Sequence, residues 1–559
     1  MSDSKVHPKL DTGFSGFLDN LWADVLSGFL VFLIALPLCL GISLASGFPA
    51  IAGVFTAILG GVITPFFSNS ALTIKGPAAG MIVVVLGAMM EFGYTGKPGN
   101  ELADANAYHL TLAVGMAAGI IQIVLGFFRA GFLSDFFPTS VVHGMLAAIG
   151  VIIASKQIHV ALGVKPESKE IIGQIMEIPK SFMNLNPEIA LISIISLTIL
   201  FGLPALIPVL FKNDWIKKYF FWLKRIPTQM LVVLIAIPLG IYFDLEHEHT
   251  YSFAGHQYPI SPKMLVDVPM NVFSQIAFPT ASAFWTVTGI KWIIVFTLVG
   301  SLESLLSAKA IDLIDPLRRK TDYSKDLLAI GIANTVAASV GGLPMISEIV
   351  RSKANIDNGA KSRFANFFHG IFLFIAVAAF PFVIHKIPLA ALASMLIYTG
   401  FRLASPREFV NVKKIGTEQF VIFTSTLIGV LATDLLVGIL IGVLVKMAIH
   451  YVNGATLYTM FFPDLVIEDQ GEGDFLVSIR HTAVFSNWIA LKKKLERIDE
   501  PRSITVDLSE TRLVDHTVME NLHHMQEDFE HAGIPFQVQG LDDHRAFSSH
   551  PLATRKKSR

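Results

Sequence analysis

From Trp22 to Val452 the chain is a succession of apolar stretches, each close to the ~20 residues that carry a helix across ~30 Å of hydrocarbon. Full spans are expected at 22–46, 50–67, 108–128, 138–155, 187–211, 226–243, 292–310, 325–340, 364–384, 388–403, 417–433 and 435–452. Two further segments are odd. Residues 77–90 are apolar but short, and 347–358 are only partly apolar. Each follows an extended, Gly- and Pro-containing stretch, 71–77 and 341–347. Interrupted segments at matching places in two halves of a membrane chain point to a transporter's binding site.

With those two included there are fourteen crossings in two sets of seven, and an odd number per half makes the repeats inverted. The expected fold is therefore an all-α polytopic membrane domain, a 7+7 inverted repeat with two broken half-helices. With the N-terminus inside, the loops 212–225, 311–324, 352–363 and 402–414 face the cytosol, and they are rich in lysine and arginine. The opposite loops, such as 91–107 and 244–254, are acidic or mixed. This bias sets orientation and places a multi-pass protein in the cell inner membrane with both termini cytoplasmic.

Composition agrees. Of 559 residues, 53% are hydrophobic and 16% charged, against about one-quarter charged in soluble domains. A net charge of -1 gives no reason to expect nucleic acid. Cys39, the single cysteine, lies in an apolar run and has no intrachain disulfide partner, which fits a reducing compartment or a membrane interior. The polar first 20 residues do not read as a signal peptide.

After Val452 strands alternate with helices: strands at 475–479, 503–508 and 536–539, helices at 488–497 and 517–531. The expected division is an N-terminal segment 1–20, a transport domain 21–453 (repeats about 21–243 and 291–453), a linker 454–473, a small α/β domain 474–551, and a disordered basic tail 552–559.

Glu303 lies in mid-span, where a carboxylate costs several kcal/mol and marks function by default; pairing with a Lys or Arg for stability is the plainer reading. Ser307 is one turn on and faces the same way. Glu348 opens the second broken segment, with Arg351 at i+3. It reads equally as a functional acid or as a helix cap stabilised by the dipole. In the first half, Gly76, Pro77, Ala78, Ala79 and Gly80 open a short helix with tiny side chains, leaving its first N–H groups uncovered. Facing it, Ser347, Glu348 and Ile349 open the other, and two such N-termini meeting at mid-bilayer make an anion site. Lys75 and Arg351 add positive charge nearby or snorkel to the interface. Glu246, His247, Glu248, His249 and His256 form a solvated loop rather than a metal site. No nucleophile motif, Walker loop or Rossmann fingerprint is present, so neither an enzyme nor a nucleotide-driven pump is expected, and no metal or cofactor.

The segments Ile74-Lys75-Gly76-Pro77-Ala78-Ala79-Gly80, Leu302-Glu303-Ser304-Leu305-Leu306-Ser307, the run from Lys325 to Asn334, and Gly341-Gly342-Leu343-Pro344 together resemble sulfate permease (SulP) family anion transporters with a C-terminal STAS domain. The resemblance implies a core domain moving against a gate domain, a homodimer, and substrate held between the third and tenth helices. It puts Glu303 and Ser307 at the coupling site, Ala78 or Ala79 at the third-helix contact, and Ser347, Glu348 and Ile349 at the tenth. The chain departs from sodium-coupled bicarbonate members, which have Asp at the Glu303 position; paired glutamates look like proton-coupled nucleobase transporters of the same fold. The expected function is secondary transport of a small inorganic anion, bicarbonate or sulfate first and dicarboxylate next, by elevator-type movement coupled to H⁺ rather than Na⁺. The alternatives are a nucleobase symporter and a non-transporting STAS scaffold or sensor. Ile504–Ser509 followed by Val514-Asp515-His516-Thr517 resembles the STAS signature, with His516 in place of the phosphorylatable hydroxyl and Thr517 beside it.

Overall fold

The computed structural model describes residues 14–97, 99–135, 138–168, 170–210, 212, 227–498 and 501–558. Most of the expected basic loop 212–225 lies outside them. The chain forms two compact units, residues 1–131 with 150–402 and residues 132–149 with 403–559.

The first unit holds α1 (Phe14–Ala45), α2 (Ala50–Phe67), β1 (Ile74–Gly76), α3 (Met81–Glu91) and α4 (Glu101–Phe127). Helix α5 (Thr139–Ala161) straddles the division and is followed by α6 (Ile171–Met183), α7 (Pro187–Leu210) and α8 (Thr228–Tyr242). A hairpin, β2 (His249–Phe253) and β3 (His256–Ile260), precedes α9 (Val287–Ile314) and α10 (Tyr323–Ser339). Then come β4 (Ile346–Glu348), α11 (Ile349–Asp357), α12 (Phe364–Ala379), α13 (Pro381–His385) and α14 (Leu389–Leu403). The second unit continues with α15 (Pro406–Ile415), α16 (Thr417–Ala432), α17 (Leu435–Val452) and the short α18 (Leu457–Phe461).

Each of the fourteen expected segments carries a helix. Among the described residues, seven helices are long and apolar enough to cross a membrane, and Met81–Glu91, Thr228–Tyr242, Phe364–Ala379 and Thr417–Ala432 are shorter apolar ones. The expected span 364–384 is two helices because Pro381 has no N–H to continue the ladder and occupies the first position of α13. The histidine-rich loop is partly a hairpin. There Glu246 pairs with Lys386 at 2.8 Å and His247 with Asp244 at 2.6 Å.

The expected fragment 77–90 begins as a helix only at Met81. Residues 74–76 are a strand, and the chain enters α3 through tight turns, with Met81 N–H donating to Ala78 and Ile82 N–H to Ala79. Ser347 likewise lies in a strand. β1 and β4 pair antiparallel, Ile74 opposite Glu348 and Gly76 opposite Ile346. Antiparallel pairing sends the chains off opposite ends of the ladder, so α3 and α11 start on either side of it.

The C-terminal α/β portion adds β5 (Asp464–Asp469), β6 (Asp474–Ala483), α19 (Phe485–Leu495), β7 (Ser503–Asp507), β8 (Thr511–Val514), α20 (His516–His531), β9 (Phe536–Gln539), β10 (His544–Ala546) and β11 (Arg555–Lys557). The sheet order is β10-β11-β8-β6-β7-β9, with β5 paired on β6. Val477, Ile479, Ile504, Val506 and Val514 from its strands pack with Trp488, Leu491 and Leu522 from its helices. Two expectations are corrected here. The linker 454–473 contains α18 and β5, because Leu465 packs on this core and residues 464–469 pair along β6. The basic tail is also ordered at Arg555–Lys557, a strand bonded to both β10 and β8.

Candidate functional site

The two-stranded ladder is held from several sides. Asn334 on α10 grips the approach to β4, accepting from Met345 N–H at 2.6 Å and donating to Met345 O at 3.1 Å. Asn366 on α12 accepts from Lys75 N–H at 3.2 Å, and Ser352 Oγ from Ile74 N–H at 2.8 Å. Lys75 is fully buried and does not snorkel: its Nζ meets Asp326 Oδ1 at 2.6 Å and Ser347 Oγ at 2.5 Å. Asp326 also accepts from Ser68 at 2.5 Å and from Ser347 at 3.1 Å. The Lys75 charge is thus neutralised beneath the ladder rather than offered to a ligand. Ser347 is engaged throughout, its N–H donating to Ser304 Oγ at 3.0 Å. Ser304 therefore faces β4.

At the other end of the ladder Glu348 caps α11, its Oε2 accepting from Arg351 N–H at 2.7 Å, with Arg351 Nε 3.6 Å away. Capping is what the geometry shows for Glu348. The Arg351 guanidinium is buried; it donates to the carbonyl of Pro77 and to Cys39 Sγ at 3.5 Å, and a Cβ on Gly76 would press on it. Arg351 thereby ties α11 to the strand that leads into α3. His369 on α12 is fully buried within electrostatic reach of Arg351, and neither ring nitrogen has a partner among the described residues.

Helix α3 differs: Gly80 supplies no side-chain cap. Directly against Gly80 lies the carboxylate of Glu303, so close that a Cβ at position 80 would collide with it. Glu303 is buried in mid-helix of α9, its Oε1 without a hydrogen-bond partner among the described residues, and its charge is felt by that of Glu348. Ala78 and Ala79 are buried, Ser307 is buried one turn along α9, and Ile349 is exposed. The structure thus brings Gly76, Pro77, Glu348 and Arg351 together, and sets Glu303 at the mouth of α3.

Sequence reading did not single out Asp326 or Asn334, and it took Gly80 only as one of the small residues that open the short helix. Asp326 and Asn334 are polar positions eight residues apart in an otherwise apolar span, a spacing that puts both toward one side of a helix. In the C-terminal domain, His516 and Thr517 are both buried, with Thr517 Oγ1 accepting from Lys446 at 2.8 Å.

A family model described as the sulfate permease family matches residues 21–426. The chain is 26% identical over 435 residues to a protein named putative sulfate transporter YvdB of Bacillus subtilis, covering 77% of this chain and 74% of that one. It is 23% identical over 544 residues to the sodium-independent sulfate anion transporter of Bos taurus (94% and 86% covered). It is also 23% identical over 427 residues to the bicarbonate transporter BicA of Picosynechococcus (76% and 69%). The solved structure of SLC26A9 matches with a TM-score of 0.67 at 15% identity, over 94% of this chain and 85% of that one. The transmembrane domain of a cyanobacterial BicA matches at 0.57 and 20% identity, over 76% and 97%. The chain belongs to the sulfate permease family of anion transporters, not to an enzyme family, and its C-terminal α/β region is consistent with a STAS domain.

Proposed function

We propose that this protein is a secondary active transporter that carries a small inorganic anion together with a proton through the site at Glu303. Bicarbonate and sulfate are the first candidates, following the names of its relatives, and small dicarboxylates come next. The reading includes a 7+7 inverted repeat, elevator-type movement, a homodimer, and an inner-membrane location with both termini cytoplasmic.

The observation that carries it is the Glu303 carboxylate, buried with an unpartnered oxygen beside the uncapped start of α3. The other charges nearby are paired: Lys75 with Asp326, and Arg351 with Glu348. An anion brought within about 5 Å of an ionised Glu303, at an effective dielectric near 20, is opposed by about 3 kcal/mol. That is a penalty of more than a hundredfold in affinity. Protonating Glu303 removes it and lets the substrate approach the positive end of α3, while Glu348 already fills the corresponding place at α11. Proton and anion therefore enter together.

The test is uptake of labelled sulfate and bicarbonate into proteoliposomes under imposed H⁺ or Na⁺ gradients, with uracil as a competing substrate. An inward proton gradient should drive anion uptake, and Glu303→Gln should make it insensitive to pH. Uptake driven by sodium alone, a pH dependence that survives in Glu303→Gln, or transport of uracil but no anion would each refute the reading.

A further inference from the structure

Helices α16 and α17 are consecutive, packed antiparallel, and joined at residues 433–434, so the start of α16 at Thr417 and the end of α17 at Val452 lie at one face of the membrane. At that face the second unit contains an open cleft of about 640 Å³, walled by Thr417, Glu418 and Asn453 from the helix ends and by Arg545, Lys556 and Lys557 from β10 and β11. Arg545 and Lys556, paired across the two strands, thus face one acid, while Lys557, next along β11, points to the opposite side of the sheet.

None of the three is neutralised by a carboxylate among the described residues. Lys556 Nζ donates to Asn453 Oδ1 at 3.3 Å and Lys557 Nζ to the carbonyl of Ser509 at 2.7 Å, while the exposed Arg545 makes no ion pair among the described residues. The net local charge of about +1 from Arg545, Lys556 and Glu418 matches the single charge of a phosphodiester, and Arg and Lys are the side chains that bind phosphate best.

A second observation gives the depth of the cleft. Immediately beyond Asn453, α18 is anchored to the C-terminal domain by Met460, buried against Val484 and Leu513. Its other side exposes Leu457, Tyr458 and Phe461, and Tyr451, Val452 and Phe462 flanking it are exposed as well. Aromatic and apolar groups exposed where a span ends are those of a membrane–water interface. The cations therefore stand at the level of lipid headgroups.

We infer that this cleft is a binding site for the phosphate of an anionic phospholipid, held by Arg545 and Lys556. It fastens the C-terminal domain to the bilayer beside the last two spans. The site is separate from the transport site and stands whether or not the proton-coupled reading holds.

Native mass spectrometry of the full-length protein in detergent, titrated with phosphatidylglycerol, phosphatidylcholine or inorganic phosphate, tests it. The protein should retain phosphatidylglycerol at least tenfold better than phosphatidylcholine. Each of Arg545→Gln and Lys556→Gln should weaken retention by about fivefold, while Lys493→Gln, on an exposed face of α19, should not. Equal retention of the two lipids, or undiminished preference in the double variant Arg545→Gln with Lys556→Gln, would overturn the inference. Binding of inorganic phosphate without preference for phosphatidylglycerol would overturn the lipid assignment in favour of a soluble phosphate.

Discussion

Among the described residues two lysine–aspartate pairs are buried, one in each unit, and they are built differently. Lys75 and Asp326 meet at 2.6 Å under the β1–β4 ladder; Lys446 and Asp515 meet at 2.9 Å between α17 and the start of α20. Both are essentially solvent-free. Among the described residues the Asp326 carboxylate has, besides its lysine, only the rotatable hydroxyls of Ser68 and Ser347. Asp515 accepts two fixed backbone amides, Phe485 at 3.0 Å and Val518 at 2.8 Å, and so caps α20. Burial pushes the Asp515 carboxyl up, but the Lys446 charge, His450 and the Val518 amide outweigh it and hold it below the ordinary 3.8. One acid depends on its lysine. The other is solvated by the chain even without it.

The largest effect should therefore come from Lys75→Met. Removing one member of a buried pair strands the other at a cost of ~3–5 kcal/mol, and Asp326 has no amide to fall back on. Thermal melting in detergent should show this loss. Replacing both members, Lys75→Met with Asp326→Leu, should recover more than half of it without restoring uptake, because the ladder loses its tie to Ser347. Lys446→Met should cost less, about 2 kcal/mol, since the Asp515 amides remain. Its signature should be lost hydrogen-exchange protection in α20, with little change in α10. Equal losses in the two variants would break the contrast.

The same contrast shows what could be read beforehand. The apolar helices, the interrupted segments and the burial of Glu303 were legible because burial in a bilayer restricts composition locally. So was the Glu348–Arg351 pair, three residues apart on one helix. Lys75 and Asp326 are 251 positions apart, and nothing in either neighbourhood names the other. Whether Glu348 acts as a cap is likewise decided by where the Arg351 amide points. Residues 555–557 read as a tail because their composition is basic, yet a strand is defined by its neighbours' hydrogen bonds, and β8 and β10 supply them.

Thr517 refines the second pair. Its hydroxyl is the other strong partner of Lys446, and the Phe485 ring lies 4.9 Å from the ammonium. Thr517→Val keeps the shape and removes one charge-assisted hydrogen bond, worth about 1.5–2 kcal/mol. Melting and exchange should move by that amount, less than for Lys446→Met. A larger loss than in Lys446→Met would mean that the hydroxyl, not the carboxylate, anchors the lysine.

The smallest effect comes from pH, and it separates Asp515 from its neighbour. Asp515, with a depressed folded-state pKa, contributes stability that is present above 3.8 and lost only as pH falls below it. His516 is held below its ordinary 6.5 by burial, with its Nδ1 2.7 Å from the Leu552 carbonyl. A depressed histidine binds its proton more readily in the unfolded chain, so its contribution is complete above 6.5 and declines as pH falls. Between pH 7.5 and 5.5 that decline is at most about 1.4 kcal/mol, in a window where Asp515 stays ionised. Hydrogen exchange in α20 should therefore accelerate modestly toward pH 5.5, after correction for the intrinsic exchange rate, and His516→Gln should flatten the trend. A slope that persists in His516→Gln would place the titrating group elsewhere around the Lys446–Asp515 junction.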